Sequence, residues 1–166
     1  HLRYTWTKPQ RFQPEIFTQI DYARPRKLTF RALAGAGLRT ILFENATYSF
    51  TIGNSVMWER EHLDLPTTDL HPDRTSVLRS SNYINLRIHT KATITLTGYY
   101  QVMPSEPKDV RMLGNLQIAS QVAGPLQQVP TIRYRRDSRP PLGIKKNDIT
   151  IGTSFAFTFG GKKKEE

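Results

Sequence analysis

The sequence predicts an all-β protein, an up-and-down antiparallel transmembrane β-barrel of about ten strands, nine of them visible in the chain. Three observations point there. Apolar and polar residues alternate along almost the whole chain. Several alternating runs reach about ten residues, enough to cross a bilayer, whereas soluble strands average about five or six. The connections between runs differ in length by parity, as they do at the two ends of outer-membrane barrels.

Each strand is read from its own alternation. "HLRYTW" places Leu2, Tyr4 and Trp6 on one face, and "EIFTQIDY" does so for Ile16, Ile20 and Tyr22. "LTFRALAGAGLRTIL" sets Leu28, Phe30, Ala32, Ala34, Ala36 and Leu38 against Thr29, Arg31, Gly35, Gly37 and Arg39. "TYSFTIGNSVMW" sets Tyr48, Phe50, Ile52, Val56 and Trp58 against Ser49, Thr51, Gly53 and Ser55. "NYINLRIH" and "ATITLTGYYQV" follow the same rule, with Ile84, Leu86, Ile94, Leu96 and Tyr100 on the apolar face. "VRMLGNLQIASQV" and "TIRYRRD" alternate Val110, Met112, Leu116, Ile132 and Tyr134 with Arg111, Asn115, Arg133, Arg135 and Asp137. "DITIGTSFAFTF" closes the series with Ile149, Ile151, Phe155, Phe157 and Phe159.

Tight connections are read at "FENAT", "HTK" and "AGPLQ", an intermediate one at "MPSEPKD", and long ones at "EREHLDLPTTDLHPDRTS" and "SRPPLGIKKN". "KPQRFQP" is longer than the parity rule wants. On that rule the loops around Leu65 and Pro141 face outside and the C-terminus faces the periplasm. Antiparallel closure of a meander needs an even number of strands. Nine is odd, so either the count is off by one or a further strand lies upstream of His1, and the abrupt start at His1 favours the second. The barrel is assigned to 1–161 and a charged periplasmic tail to 162–166.

The chain of 166 residues carries 24 Lys+Arg against 14 Asp+Glu, a formal charge of +10, and no cysteine. That excludes a disulfide frame and a thiolate metal site. Its mean hydropathy of −0.51 excludes a helical membrane protein but not a barrel, in which half of the strand residues are polar. The positive charge also admits a soluble, basic β-sandwich that binds nucleic acid, such as a coat or organellar ribosomal subunit. A lipid-modifying enzyme of the outer membrane is a third reading. Only His89 is read on a strand, near Ser81, and nothing marks a nucleophile. No catalytic residue, cofactor or metal is therefore assigned. His62 and His71, read into the longest loop with Glu59, Glu61, Asp64, Asp69 and Asp73, match no compact metal motif.

Three groups of residues are singled out. Arg31, Arg39, Arg87, Arg111, Arg133, Arg135 and Asp137 fall on the inward face as a charged lumen cluster. It is read first as a packed interior in which charges satisfy one another, and second as a basic lumen that attracts anions. Trp6, Tyr48, Trp58, Tyr100, Tyr134 and Phe159 fall on the outward face near strand ends, as girdles at a lipid interface do. Arg24, Arg26, Lys27, Arg139, Lys145 and Lys146 fall in external connections, where lipopolysaccharide phosphates would meet them.

Two segments also carry a resemblance. "GAGLRTILFENATYSFTIGNSVMWERE" and "RYRRDSRPPLGIKKNDITIGTSFAFTF", with "TGYYQVMPSEPKD", resemble the YdiY-like salt-induced outer-membrane proteins, a family of unestablished function. The resemblance covers most of the chain and is most specific in the closing hairpin. It implies an outer-membrane β-barrel made with a signal peptide, since removed, and supplies no substrate or catalytic residue; the role itself is read as structural or small-solute, anion-related. Thr150, Gly152, Phe155 and Phe157 look like the terminal signal read by the barrel-assembly machinery, although the chain continues past it with "GGKKKEE". The partners expected are outer-membrane lipid, lipopolysaccharide and that machinery, with a larger outer-membrane complex open and nucleic acid not expected.

Overall fold

A computed structural model describes residues 1–8 and 11–157. Nine strands follow one another: β1 (Leu2–Thr5), β2 (Phe12–Ala23), β3 (Leu28–Glu44), β4 (Tyr48–Leu63), β5 (Arg74–His89), β6 (Ala92–Met103), β7 (Glu106–Ala123), β8 (Leu126–Asp137) and β9 (Asn147–Phe157). They form one sheet in chain order, each strand antiparallel to its neighbours. The two packed sheets of the sandwich reading are absent from the described residues, whose other regular element is a 3-10 turn at Arg24–Arg26. No ladder joins β1 to β9 among the described residues, so the sheet has two free edges.

The alternation read from the sequence matches the faces in nearly every strand. The main exception is Leu28, expected among the apolar row. A register shift between Leu28 and Phe30 breaks the period, and Leu28 turns inward to full burial. Phe17, Leu33 and Met57 are also apolar residues on the inward face, where they form a small buried cluster.

The inward face is concave, because side chains on it bridge strands that are not neighbours. The Tyr83 hydroxyl on β5 donates to Glu15 Oε2 on β2 at 3.0 Å. Arg111 on β7 reaches Glu59 on β4 at 2.9 Å. Glycine permits part of this bend: a Cβ on Gly53 would stand 2.0 Å from the Tyr83 ring, so the ring occupies the volume a side chain would need.

The connections fall into two sets. At one end lie residues 6–8 and 11, 45–47, 90–91 and 124–125; at the other lie 24–27, 64–73, 104–105 and 138–146. The second set holds the two longest. Two expected boundaries move. β4 continues to Leu63 and β5 begins at Arg74, so the longest connection is 64–73 rather than 59–76. The intermediate "MPSEPKD" shrinks to a two-residue turn, because β7 begins at Glu106.

The convex face carries the apolar side chains. Aromatic residues lie toward its two ends: Tyr22, Phe30, Trp58 and Tyr100 at the long-loop end, Tyr4, Trp6, Phe43, Tyr48 and Phe155 at the tight-turn end. Aliphatic residues such as Val56, Leu78, Ile84, Leu96 and Ile151 lie between, all exposed. Asn54 and Asn82, partners in the β4–β5 register, are a polar interruption of that band.

Candidate functional site

The centre of the concave face is organised by Glu59, whose side chain is fully buried. Glu59 Oε2 accepts from Arg31 of β3 through Nε at 2.8 Å and through Nη2. Glu59 Oε1 accepts from Arg79 Nε of β5 at 3.1 Å and from Arg111 Nη1 of β7 at 2.9 Å. Arg79 and Arg111 reach further carboxylates in turn. Arg79 forks onto Asp109 at 3.0 and 2.9 Å, and Arg111 Nη2 donates to Glu61 Oε2 at 2.8 Å. Asp137 of β8 lies 3.2 Å from Arg111 Nε and 3.6 Å from Arg135. Four guanidiniums thus face four carboxylates. Burial of charge is tolerable only with such pairing.

Of the predicted lumen cluster, Arg31, Arg111, Arg135 and Asp137 are brought together here. Arg39, Arg87 and Arg133 lie on the same face but outside the network, and Arg87 and Arg133 are exposed. Nearer the tight-turn end a second group forms. The Arg3 guanidinium lies 5.1 Å from the Tyr83 ring centre and 5.3 Å from that of Phe17, and 3.5 Å from Glu15.

Reasoning from sequence missed the hub itself. Glu59 and Glu61 were read into a loop with His62 and His71, as members of a conceivable metal group. The structure separates them, because β4 is longer than its clear apolar pattern. Glu59 and Glu61 point inward, the His62 ring lies 5.8 Å from that of Phe30 at a tilt of 56° on the other face, and the His71 ring bonds to the Pro72 carbonyl. The signal was present: Thr51, Gly53, Ser55, Met57, Glu59 and Glu61 keep the period of two. His89 bonds Thr93, and Ser81 accepts from Ser55 through its carbonyl, so the two are engaged separately.

Trp6, Tyr48, Trp58 and Tyr100 are exposed on the convex face, and Tyr134 is half-buried there with its hydroxyl on Asn147 at 3.0 Å. Phe159 lies outside the described residues, as does the tail 162–166. On β9, Thr150 and Gly152 face the concave side and Phe155 and Phe157 the convex side; every residue of this strand is exposed.

The long connections knit together over the concave face. Lys27, held at φ 56° by the turn after Arg26, donates from Nζ to the Leu142 carbonyl at 2.9 Å. Asp69 accepts backbone N–H groups from His71 and Leu142, each at 3.0 Å. Those bonds, that from His71 foremost, hold its carboxyl below the usual aspartate range. Beneath them lies a cavity of about 240 Å³, lined by Arg26, Arg135, Lys145, Lys146 and Asp148 among others.

Fold and site together define a class: an antiparallel up-and-down sheet with a salt-bridged concave face and an apolar convex face. Comparison with protein-family models, with curated proteins and with solved structures finds no match. The class therefore rests on the geometry of this chain alone.

Proposed function

We propose that this sheet is the wall of a β-barrel in a bacterial outer membrane, and that the protein serves as a noncatalytic membrane component with a filled interior. One observation carries the reading, the inverted polarity of the two faces. Twelve of the nineteen buried residues among those described are polar or charged, whereas Leu, Ile, Val and aromatic side chains stand exposed on the other face. Water penalises that arrangement and lipid rewards it. Strands β2 to β9, of 11 to 18 residues, are long enough to span a bilayer.

The Glu59 network favours a filled interior over an open basic pore, since it links β3, β4, β5, β7 and β8 across the concave side. The free edges of β1 and β9 run parallel to each other in a nine-strand meander. One more strand, antiparallel to both, would complete the wall. In this reading the barrel-assembly machinery handles β9 during insertion, and lipopolysaccharide surrounds the long-loop end.

The test is fractionation with topology. The protein is expected in outer membranes, resistant to alkaline extraction and heat-modifiable on gels. Cysteines at Thr68 and Gly143 should label from outside intact cells and one at Ala46 should not. A soluble protein, or labelling of Ala46 with Thr68 protected, would overturn the barrel or its orientation.

A further inference from the structure

The cavity under the long connections is lined by six cationic and three carboxylate side chains. Their pairing is uneven. Arg111 is consumed by Glu59, Glu61 and Asp137, and Asp137 also holds Arg135 at 3.6 Å. Arg139 pairs with Glu106 at the rim. Arg26, Lys145 and Lys146 form no ion pair among the described residues.

Arg26 is the unusual member. It is half-buried on the 3-10 turn between β2 and β3, with Arg31 and Arg111 near enough to repel it. Burial first, and Arg31 next, lower its pKa from the ordinary arginine value. Asp21 and Glu61 attract it, each less than Arg31 repels it but more than Arg111 does, and neither makes a contact bond with it. A partly desolvated guanidinium with other cations about it and no carboxylate in contact is an incomplete ion pair. The turn is held in place from the far end of the chain by the Lys27–Leu142 bond, so Arg26 faces the β8–β9 connection that carries Lys145 and Lys146.

We infer that this cavity binds a phosphate group carried by a small solute, with Arg26, Lys145 and Lys146 as its principal cationic contacts and Arg135 behind them. A guanidinium fork and two ammonium groups converging from separate segments suit a dianionic, tetrahedral oxyanion better than a single carboxylate. The volume is below the roughly 300–1,000 Å³ of sites that hold drug-sized ligands, which favours a small solute. The cavity belongs to the concave side, which also favours a solute over a lipid headgroup packed against the convex face. This inference needs only the curl of the sheet, so it stands or falls separately from the membrane reading.

The test is calorimetric titration of the full chain, folded in zwitterionic detergent micelles, with inorganic phosphate, glycerol 3-phosphate and acetate. Saturable binding of both phosphates, with acetate weaker, is expected. Arg26→Gln and the pair Lys145→Gln with Lys146→Gln should each weaken phosphate binding about tenfold or more, the loss of roughly one charge-assisted contact. Arg87→Gln, at the opposite end of the strands, should leave it unchanged. The β-sheet signal in far-ultraviolet circular dichroism confirms folding, and the exposed Lys pair serves if Arg26→Gln does not fold. No phosphate binding, or equal weakening by Arg87→Gln, would overturn the site. Binding to phosphatidylcholine vesicles containing phosphatidic acid, with no response to inorganic phosphate, would overturn it in favour of a lipid headgroup.

Discussion

The two faces of the sheet solve opposite problems with the same residue spacing. On the concave side the buried charged positions are Glu15, Arg31, Glu59, Glu61, Arg79, Arg111 and Asp137, and each charge finds a partner of opposite sign within the curl. On the convex side, one residue away along each strand, stand Trp58, Leu78, Ile84 and Leu96 with nothing covering them. In a soluble β-protein the apolar face is buried and the charged face is wet. The inversion here means that the sheet's organisation comes from ladders and ion pairs inside, while its apolar area awaits an apolar surrounding. Each face can be broken separately.

The largest effect should come from the hub of the concave face. Glu59→Gln leaves Arg31, Arg79 and Arg111 facing one another without their shared carboxylate. Breaking a buried pair costs about 3–5 kcal/mol, so urea titration of the micelle-folded protein should show a loss of that order or a failure to fold. On the convex face, Leu96→Arg at mid-strand should cost about 2–4 kcal/mol in vesicles on the proposed membrane reading, in which arginine there meets the bilayer midplane. Thr95→Arg, its inward neighbour, should cost less. Equal damage from the two would erase the distinction between the faces. The smallest effect is expected at the rim: Glu106→Gln removes an exposed pair with Arg139 and should change stability by about 0–1 kcal/mol in the same titration.

The comparison of faces also shows what a sequence reveals. All nine strands and their facing were legible, because a period of two is a local property that needs no knowledge of neighbours. Leu28 was misplaced because a bulge shifts the phase by one residue, and a bulge leaves little trace in composition. Glu59 and Glu61 were placed in a loop because acidic residues beside a His resemble solvated sequence. Only the register, which sets Glu61 opposite Arg31, shows why two acids belong on the concave face. The lumen arginines were found as a class, but which of them would meet could not be read. Arg31 and Arg111 converge through curvature across the three strands between them, β4 to β6, whereas Arg39 and Arg133 lie on the same face and do not. Arg26 is expected in an external connection and is half-buried beside a turn that Lys27 ties to the Leu142 carbonyl, a contact between residues 115 apart.

The central claim, that the convex face meets lipid, is tested most directly on β6. The chain has no cysteine, so single cysteines at Ile94, Thr95, Leu96 and Thr97 need no prior substitution. Each is labelled with an environment-sensitive fluorophore, and the protein is reconstituted into vesicles with and without a quencher attached to the lipid chains. The account predicts strong quenching at Ile94 and Leu96 and little at Thr95 and Thr97. Quenching that fails to alternate, or that is absent at all four while a water-soluble quencher reaches Leu96, would contradict it.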